Sequence, residues 1–459
     1  MRVDILSDMT RDSSDQQRHA LAGFRAGFYG RLTHWGDALF ELCDAALCAG
    51  SPVASVPQLS LEPEFRRSHG SLYKGLVRGH LDEERFRDLV VEHRPRSWPE
   101  IFAVDASTWD RCDAECSPER GFYYSASKHS AGQPIVAGWS YQWIAQLDFA
   151  PDSWTAPLDA RRIRPDQDVT AATIEQVQEL TGRLGATSAV PMFVFDAGYD
   201  PIALTAGLED TRAQVLVRVR GDRVFYRDPE ARGQGTRGRP RRHGKRLKLS
   251  EARTMGRPDT ELATTDPRYG TVRVRAWHQV HPRIIGRGRW AGDELPPIVR
   301  GSVLRVDVEH LPRADGRVNK TLWLWWGGDG EPDLELCFRA YLRRFDIEHT
   351  FRFSKNTLGW TTPSLCTPEQ ADRWTWIVLA ALTQLRLARG LVDDLRLPWE
   401  RPLDPAKLTP ARVRRGFRRL RAVIGTPASP PKSDRAGPGR PKGTVTGPRQ
   451  RYPVIKKTA

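Results

Sequence analysis

Twenty residues from Tyr341 to Trp360, YLRRFDIEHTFRFSKNTLGW, set basic and aromatic side chains around one central carboxylate, Glu348. Read as a single helix, Tyr341 and Arg344 stand seven and four residues before that glutamate, and Lys355 seven after it. Residues at such spacings share a helical face. Leu342 and Phe353 then fall toward the opposite side, where apolar residues pack into a core. A solvated helix side with alternating charges has the same look. The sharper chemistry is metal-assisted work on a phosphate ester, and for that one acid is too few. Mg²⁺ takes oxygen ligands, uses one or two carboxylates and leaves the remaining positions to water and substrate phosphate. Two such ions about 3.5–4 Å apart stabilise both the attacking and the leaving oxygen of a phosphoryl displacement.

Two further acids end short apolar runs. Ile101, Phe102, Ala103 and Val104 lead to Asp105, and Met192 to Phe195 lead to Asp196. Each run stops abruptly in aspartate followed by small or turn-forming residues, as a buried strand does where it emerges at a functional edge. Aspartate also caps turns and helix starts, so one such residue is unremarkable. Two of them followed by the Glu348 segment make an ordered Asp–Asp–Glu set.

These residues carry a resemblance. Tyr341-x2-Arg344-x3-Glu348-x6-Lys355 resembles the YREK signature of DDE transposases from bacterial insertion sequences. DAGY, Asp196 to Tyr199, is similar to the D-x-G-[FY] motif of that group, and VDAST around Asp105 fits its first aspartate. The resemblance spans roughly residues 101–389. Phe345 stands where many relatives have Trp after the signature arginine. It implies an RNase H-like fold and a catalytic, metal-binding triad of Asp105, Asp196 and Glu348 holding two Mg²⁺ (or Mn²⁺) ions. It further implies DNA contacts from Tyr341, Arg344 and Lys355.

Composition agrees. The chain has 459 residues, room for two or three domains, and a formal net charge of +15. Residues 411–459 hold 14 Lys/Arg against one acid, Asp434, and residues 232–248 hold 8 with no acid. The remainder is net negative, so the basicity is concentrated in two segments, as expected of an electrostatic footprint for phosphate backbones. The longest unbroken apolar run, Trp376 to Leu382, is too short to span a bilayer. The start has no charged n-region followed by an apolar stretch. The expected location is therefore cytoplasmic, at the nucleoid, with no membrane partner. Six cysteines are scattered, and Cys112-x3-Cys116 has no second pair to complete a zinc site, so free thiols are expected.

The elements that must position these residues read as α/β: an RNase H-like catalytic core with a β-rich insertion and a helical N-terminal region. Residues 1–98 are expected to be helical, as a helix-turn-helix module or as a cap on the core. Residues 99–220 form the first part of the core, including a helix capped by Asp168 or Thr170 and stopped at Gly185. Residues 221–336 form a β-rich insertion with a basic loop. Within it, GQGTRG (233–238) opens no clear helix and reads as a phosphate-contacting loop rather than a dinucleotide site. Residues 337–392 complete the core with the Glu348 helix and a packed helix carrying Trp374 and Trp376. Residues 393–427 are a basic helical segment with Val413, Phe417, Leu420 and Ile424 beneath arginines. Residues 428–459 are expected to be a disordered basic tail, whose PGRPKG (438–443) reads as an AT-hook core or as plain solvated charge.

The expected function is a DNA transposase making metal-dependent strand cleavage and strand transfer. Its partners would be double-stranded DNA, namely terminal inverted repeats and target DNA, and a second copy of the chain on paired ends. Two rivals remain: another RNase H-like nuclease, and a non-catalytic DNA-binding relative.

Overall fold

The computed structural model describes residues 2–125, 134–187, 189–231, 238–286, 290–292, 295–311, 321–432, 441–444 and 447–456. The chain divides into two compact units, one of Met1–Pro99, Ala106–Gln167 and Asp346–Ala459, the other of Glu100–Asp105 and Asp168–Phe345. Five of the six residues of GQGTRG (233–237) and half of PGRPKG (438–440) lie outside the described residues.

The first unit opens with α1 (Arg2–Arg31), β1 (Leu32–His34), α2 (Gly36–Cys48), α3 (Val56–Leu59), α4 (His69–Arg78), β2 (His80–Leu81) and α5 (Glu83–Glu92). The segment from Gln16 to Gly50 is two helices, parted at Trp35, whose φ of 55° is left-handed. The strand β3 (Ile101–Asp110) is shared, its residues from Ala106 onward belonging here. It is followed by β4 (Gly121–Tyr124), β5 (Ile135–Leu147) and β6 (Thr155–Ile163). β5 pairs antiparallel with β4 through Ile135–Gly138 and with β6 through Ser140–Leu147. Gly138 is required where β5 meets the end of β3, because a Cβ there would stand 2.1 Å from the Trp109 carbonyl oxygen.

The second unit takes Ile101–Asp105 of β3 and continues with α6 (Val169–Leu184), β7 (Met192–Phe195), α7 (Pro201–Gly207) and β8 (Gln214–Val219). Asp168 is the cap of α6, its carboxylate accepting from the N–H groups of Thr170 and Ala171, and Gly185 ends the helix at φ 67°. β9 (Val224–Tyr226), β10 (Arg246–Lys248), α8 (Ala252–Met255), β11 (Thr260–Asp266), β12 (Gly270–Val280), β13 (Gly301–Val308) and β14 (Thr321–Gly327) come next, then α9 (Leu334–Arg343). β3, β7 and β8 run parallel, and β8, β14, β13, β12 and β11 follow as antiparallel neighbours. The β-rich insertion therefore extends the core sheet beyond β8. Its inner side packs Phe225, Trp277, Val303, Trp323 and Trp325 with Val219 of β8.

The chain returns to the first unit as α10 (Asp346–Asn356), α11 (Pro368–Leu387) and α12 (Pro410–Ile424). Trp374 and Trp376 are buried core residues of α11. Trp143, Phe351 and Trp360 form an aromatic cluster with Tyr141 beneath α10. Asp44 of α2 is wholly buried and accepts from Arg25 of α1 at 2.7 Å and Arg421 of α12 at 3.2 Å. Removing one partner from such a buried pair costs about 3–5 kcal/mol, so this carboxylate fastens three helices together.

Three expectations change. The Tyr341–Lys355 stretch is not one helix: α9 ends at Arg343, Arg344 and Phe345 make a turn, and α10 starts at Asp346. Tyr341 and Arg344 are buried, Glu348 is exposed and Lys355 intermediate, so the four do not share one helical face. The arginines of α12 are largely turned to protein: Arg412 pairs with Asp394, Arg415 with Glu400, Arg418 with Glu62 and Glu64, and Arg421 with Asp44. Arg414 donates to the carbonyls of Ala46 and Ser51. The acids lie outside residues 411–459, which is why a local charge count overstated the exposed positive surface. Finally, the chain's last described stretch is held. Tyr452 and Ile455 donate backbone N–H bonds to the carbonyls of Glu115 and Arg120, and buried Arg120 donates to the Tyr452 carbonyl. Backbone pairing of this kind needs no apolar composition, so composition could not reveal it.

Candidate active site

Register brings the two aspartates together. Ile101, Phe102 and Ala103 pair in parallel with Met192, Phe193 and Val194, and the rings of Phe102 and Phe193 stack at 5.3 Å. Carried two residues further, the same register sets Asp105 opposite Asp196. Neighbouring strands lie about 4.8 Å apart and paired residues point to the same face, so the two carboxylates stand side by side. Asp196 follows the end of β7, as expected, but Asp105 does not end its strand, because β3 runs on to Asp110. The run before each is fully buried, which fixes the backbones that carry them.

The Asp196 carboxylate accepts from the Gly198 N–H at 2.5 Å, closing the turn that leads into α7. Arg344, itself buried, donates to Asp105 at 3.1 Å and lies with its guanidinium 4.6 Å from the Phe345 ring centre. Tyr199 lies against Phe195. Burial first, then the charges of Asp105 and Asp196, push its phenol well above the ordinary range, with Arg344 opposing. It therefore stays protonated and neutral beside two carboxylates. Burial also raises the Tyr341 phenol, against the charges of Arg344 and then Arg218.

Arg218 is a further neighbour of the aspartates that no sequence motif pointed to. Phe195 pairs with Val217, so the next position in register sets Arg218 of β8 beside Asp196. The alternation of buried Val217 and Val219 around exposed Arg218 was the signal that could have found it.

Glu348 and Lys355 belong to the other unit. Glu348 is exposed in the first turn of α10, a position that also suits the positive end of a helix dipole. Lys355 donates to the Thr108 carbonyl at 3.1 Å and lies 5.7 Å from the centre of the Trp360 ring.

A match to the family described as DDE superfamily endonuclease covers residues 27–283, more than half of the chain. The chain belongs to this DDE superfamily. The match contains Asp105 and Asp196, and it ends before Glu348. No curated protein matches the chain. Membership gives an endonuclease whose relatives use divalent metals and whose substrate is DNA, and the mixed α/β sheet is consistent with an RNase H-like DDE nuclease core.

The residues of the DDE chain fit such a metal at the Asp105–Asp196 pair: two adjacent oxygen donors on rigid parallel strands are what a hard cation takes. Among the described residues no group of three or more His, Cys, Asp or Glu converges as a metal cluster. All six cysteines are free, and no described helix is long and apolar enough to cross a membrane.

Proposed function

We infer that this DDE endonuclease is a transposase of the insertion-sequence type, of the YREK group. It would cut and join DNA strands at terminal inverted repeats, with Asp105, Asp196 and Glu348 as catalytic metal ligands. The observation that supports this most is the in-register Asp105–Asp196 pair, together with the Tyr341, Arg344, Glu348 and Lys355 spacing. Two Mg²⁺ or Mn²⁺ ions would supply activation of the attacking oxygen and charge neutralisation on the leaving oxygen. The protein's part is positional. The parallel strands hold the aspartates at fixed separation, Arg344 orients the Asp105 carboxylate, and the Tyr199 phenol stays protonated beside them. Tyr341, Arg344 and Lys355 supply contacts to DNA phosphates. A pair of such chains would work on paired ends, in the cytoplasm at the nucleoid. The domain plan read from the sequence, apart from its free tail, belongs to this proposal, with residues 1–98 as a DNA-binding or capping region.

A second reading, a nuclease that cuts without joining, draws on the family match, which stops short of the YREK segment. Duplex DNA bearing the element's inverted repeats separates them, because only a transposase yields joined products. Asp105→Asn, Asp196→Asn and Glu348→Gln should each lower metal-dependent cleavage by more than about 100-fold, beyond what loss of an orienting partner costs, while leaving folding intact. Cleavage near the wild-type rate in any one variant removes that residue from the site. Full cleavage in excess EDTA would sink the metal reading altogether.

A further inference from the structure

Beside the Asp196 turn lies an open cleft of about 530 Å³, lined by Gly198, Tyr199, Arg218, Arg220, Asp222 and Arg223 among others. Arg218 and Arg220 alternate with Val219, which is buried in the core on the other side of the sheet. Both guanidiniums therefore stand on the face that carries Asp196. Arg223 follows in the turn after β8, its N–H bonded to the Arg220 carbonyl.

All three arginines are exposed. Among the described residues none has a carboxylate within ion-pair distance, although acids are close at hand. Asp222 lines the same cleft, and Asp200 caps α7 through the N–H groups of Ile202 and Ala203. Elsewhere the chain behaves differently. The α12 arginines are matched to acids almost one for one, and Arg227 and Arg300, in the same unit, pair with Asp259 and Asp228. Three like charges gathered in one concavity repel one another; Asp222 in the cleft and the Tyr341 phenol bonded to Arg218 offset this only in part, and an anion stabilises the arrangement further. The guanidinium fork suits phosphate oxygens, two at a time.

We propose that this cleft binds the phosphodiester backbone of the DNA strand being cut, seating the phosphates next to the one at Asp105 and Asp196. The proposal rests on the DNA-cleaving reading above and adds to it the path of the strand. Arg218, one strand from Asp196, holds the phosphate nearest the reacting one, and Arg220 and Arg223 carry the strand outward. They are binding and positioning residues, and none of them meets the reacting atoms.

The test uses the full chain, with Asp196→Asn added for binding so that DNA is not consumed. Fluorescence anisotropy follows a labelled duplex and the corresponding single strand across a salt series. Arg220→Ala and Arg223→Ala should each make the slope of log affinity against log salt shallower by about 0.9 on duplex, or by about 0.7 if a single strand fills the cleft. In the otherwise wild-type chain each should raise KM for DNA and leave kcat at saturation little changed. Arg220→Lys should restore most of the slope, and Arg253→Ala, at an exposed position of α8, should leave it alone. These exposed residues can be changed without unfolding, which circular dichroism checks. An unchanged slope in both alanine variants of a protein that binds and cuts DNA would overturn the cleft and spare the nuclease reading. A wild-type chain that binds no DNA would overturn both.

Discussion

Arg344 faces two demands at once. It is buried against Asp105, and the YREK spacing makes it a phosphate partner too. Its positive charge opposes any cation at the carboxylate it holds. Arg344→Met should therefore lower the metal concentration for half-maximal cleavage while also lowering kcat, because the Asp105 carboxylate loses its orienting donor. A metal titration of cleavage reads both effects, and a rise in the metal requirement would show that the guanidinium acts on DNA alone. Stability should fall by about 1–3 kcal/mol, less than for a wholly buried pair, since Asp105 is partly exposed. At this scale the sequence told a good deal. An apolar run ending in aspartate is visible in any strand, and both aspartates were found that way. Arg218 was not, because its meaning depends on a neighbour across the sheet.

Elements were legible where local signals agree. Asp168 and Gly185 bracket α6, and beta-branched alternation marks β12 and β13. The break between α9 and α10 had no such signal: no glycine or proline interrupts the segment, and the turn coincides with the tertiary contact from Arg344 to Asp105, which propensity does not register. The end of β12 carries a different device. His281 is wholly buried, bonded to His243 at 3.0 Å and 3.5 Å from Asp228. Burial lowers its pKa first, Asp228 opposes, and His243, Arg300 and Arg242 lower it further. His243 is lowered too, by burial and then by Arg242 and Arg283. Both rings favour the neutral form in the folded state, so the unfolded chain binds more protons below its ordinary histidine pKa. Stability should be full above about pH 6.5 and decline as pH falls through the lower folded values. Urea midpoints measured from pH 7.5 down to 5 should show this, and His281→Gln should flatten that part of the profile. A wild-type midpoint constant across the range would contradict it.

For the whole molecule, composition gave the class of partner, and the fold sorts the basic residues by whether an acid lies against them. Net charge counts every arginine alike, whereas only those without acids are open to an external anion. The arginines of α12 are mostly matched to acids within the first unit, and Arg218, Arg220 and Arg223 have no carboxylate within ion-pair distance among the described residues. Truncation after Thr446 should therefore cost stability, about 1–3 kcal/mol, because buried Arg120 loses the Tyr452 carbonyl and a charged hydrogen bond with it. Denaturant unfolding measures that loss. The salt slope for duplex binding should change by less than the four cations removed would suggest, since Arg451 already pairs with Glu115. A full loss of slope with no loss of stability would return the segment to a free basic tail.

The stacking of Phe102 on Phe193 has a consequence for how this protein can change over generations. A parallel pair slipped by a single residue sends one of its side chains to the opposite face, so a slip here would part Asp105 from Asp196 without altering either. The long stretch between them can gain or lose residues in its loops and leave the chemistry untouched. The two phenyl rings act as dowels that hold the alignment. Heritable defects in cutting should therefore arise at these rings as well as at the acids themselves, in a protein whose carboxylates are all intact.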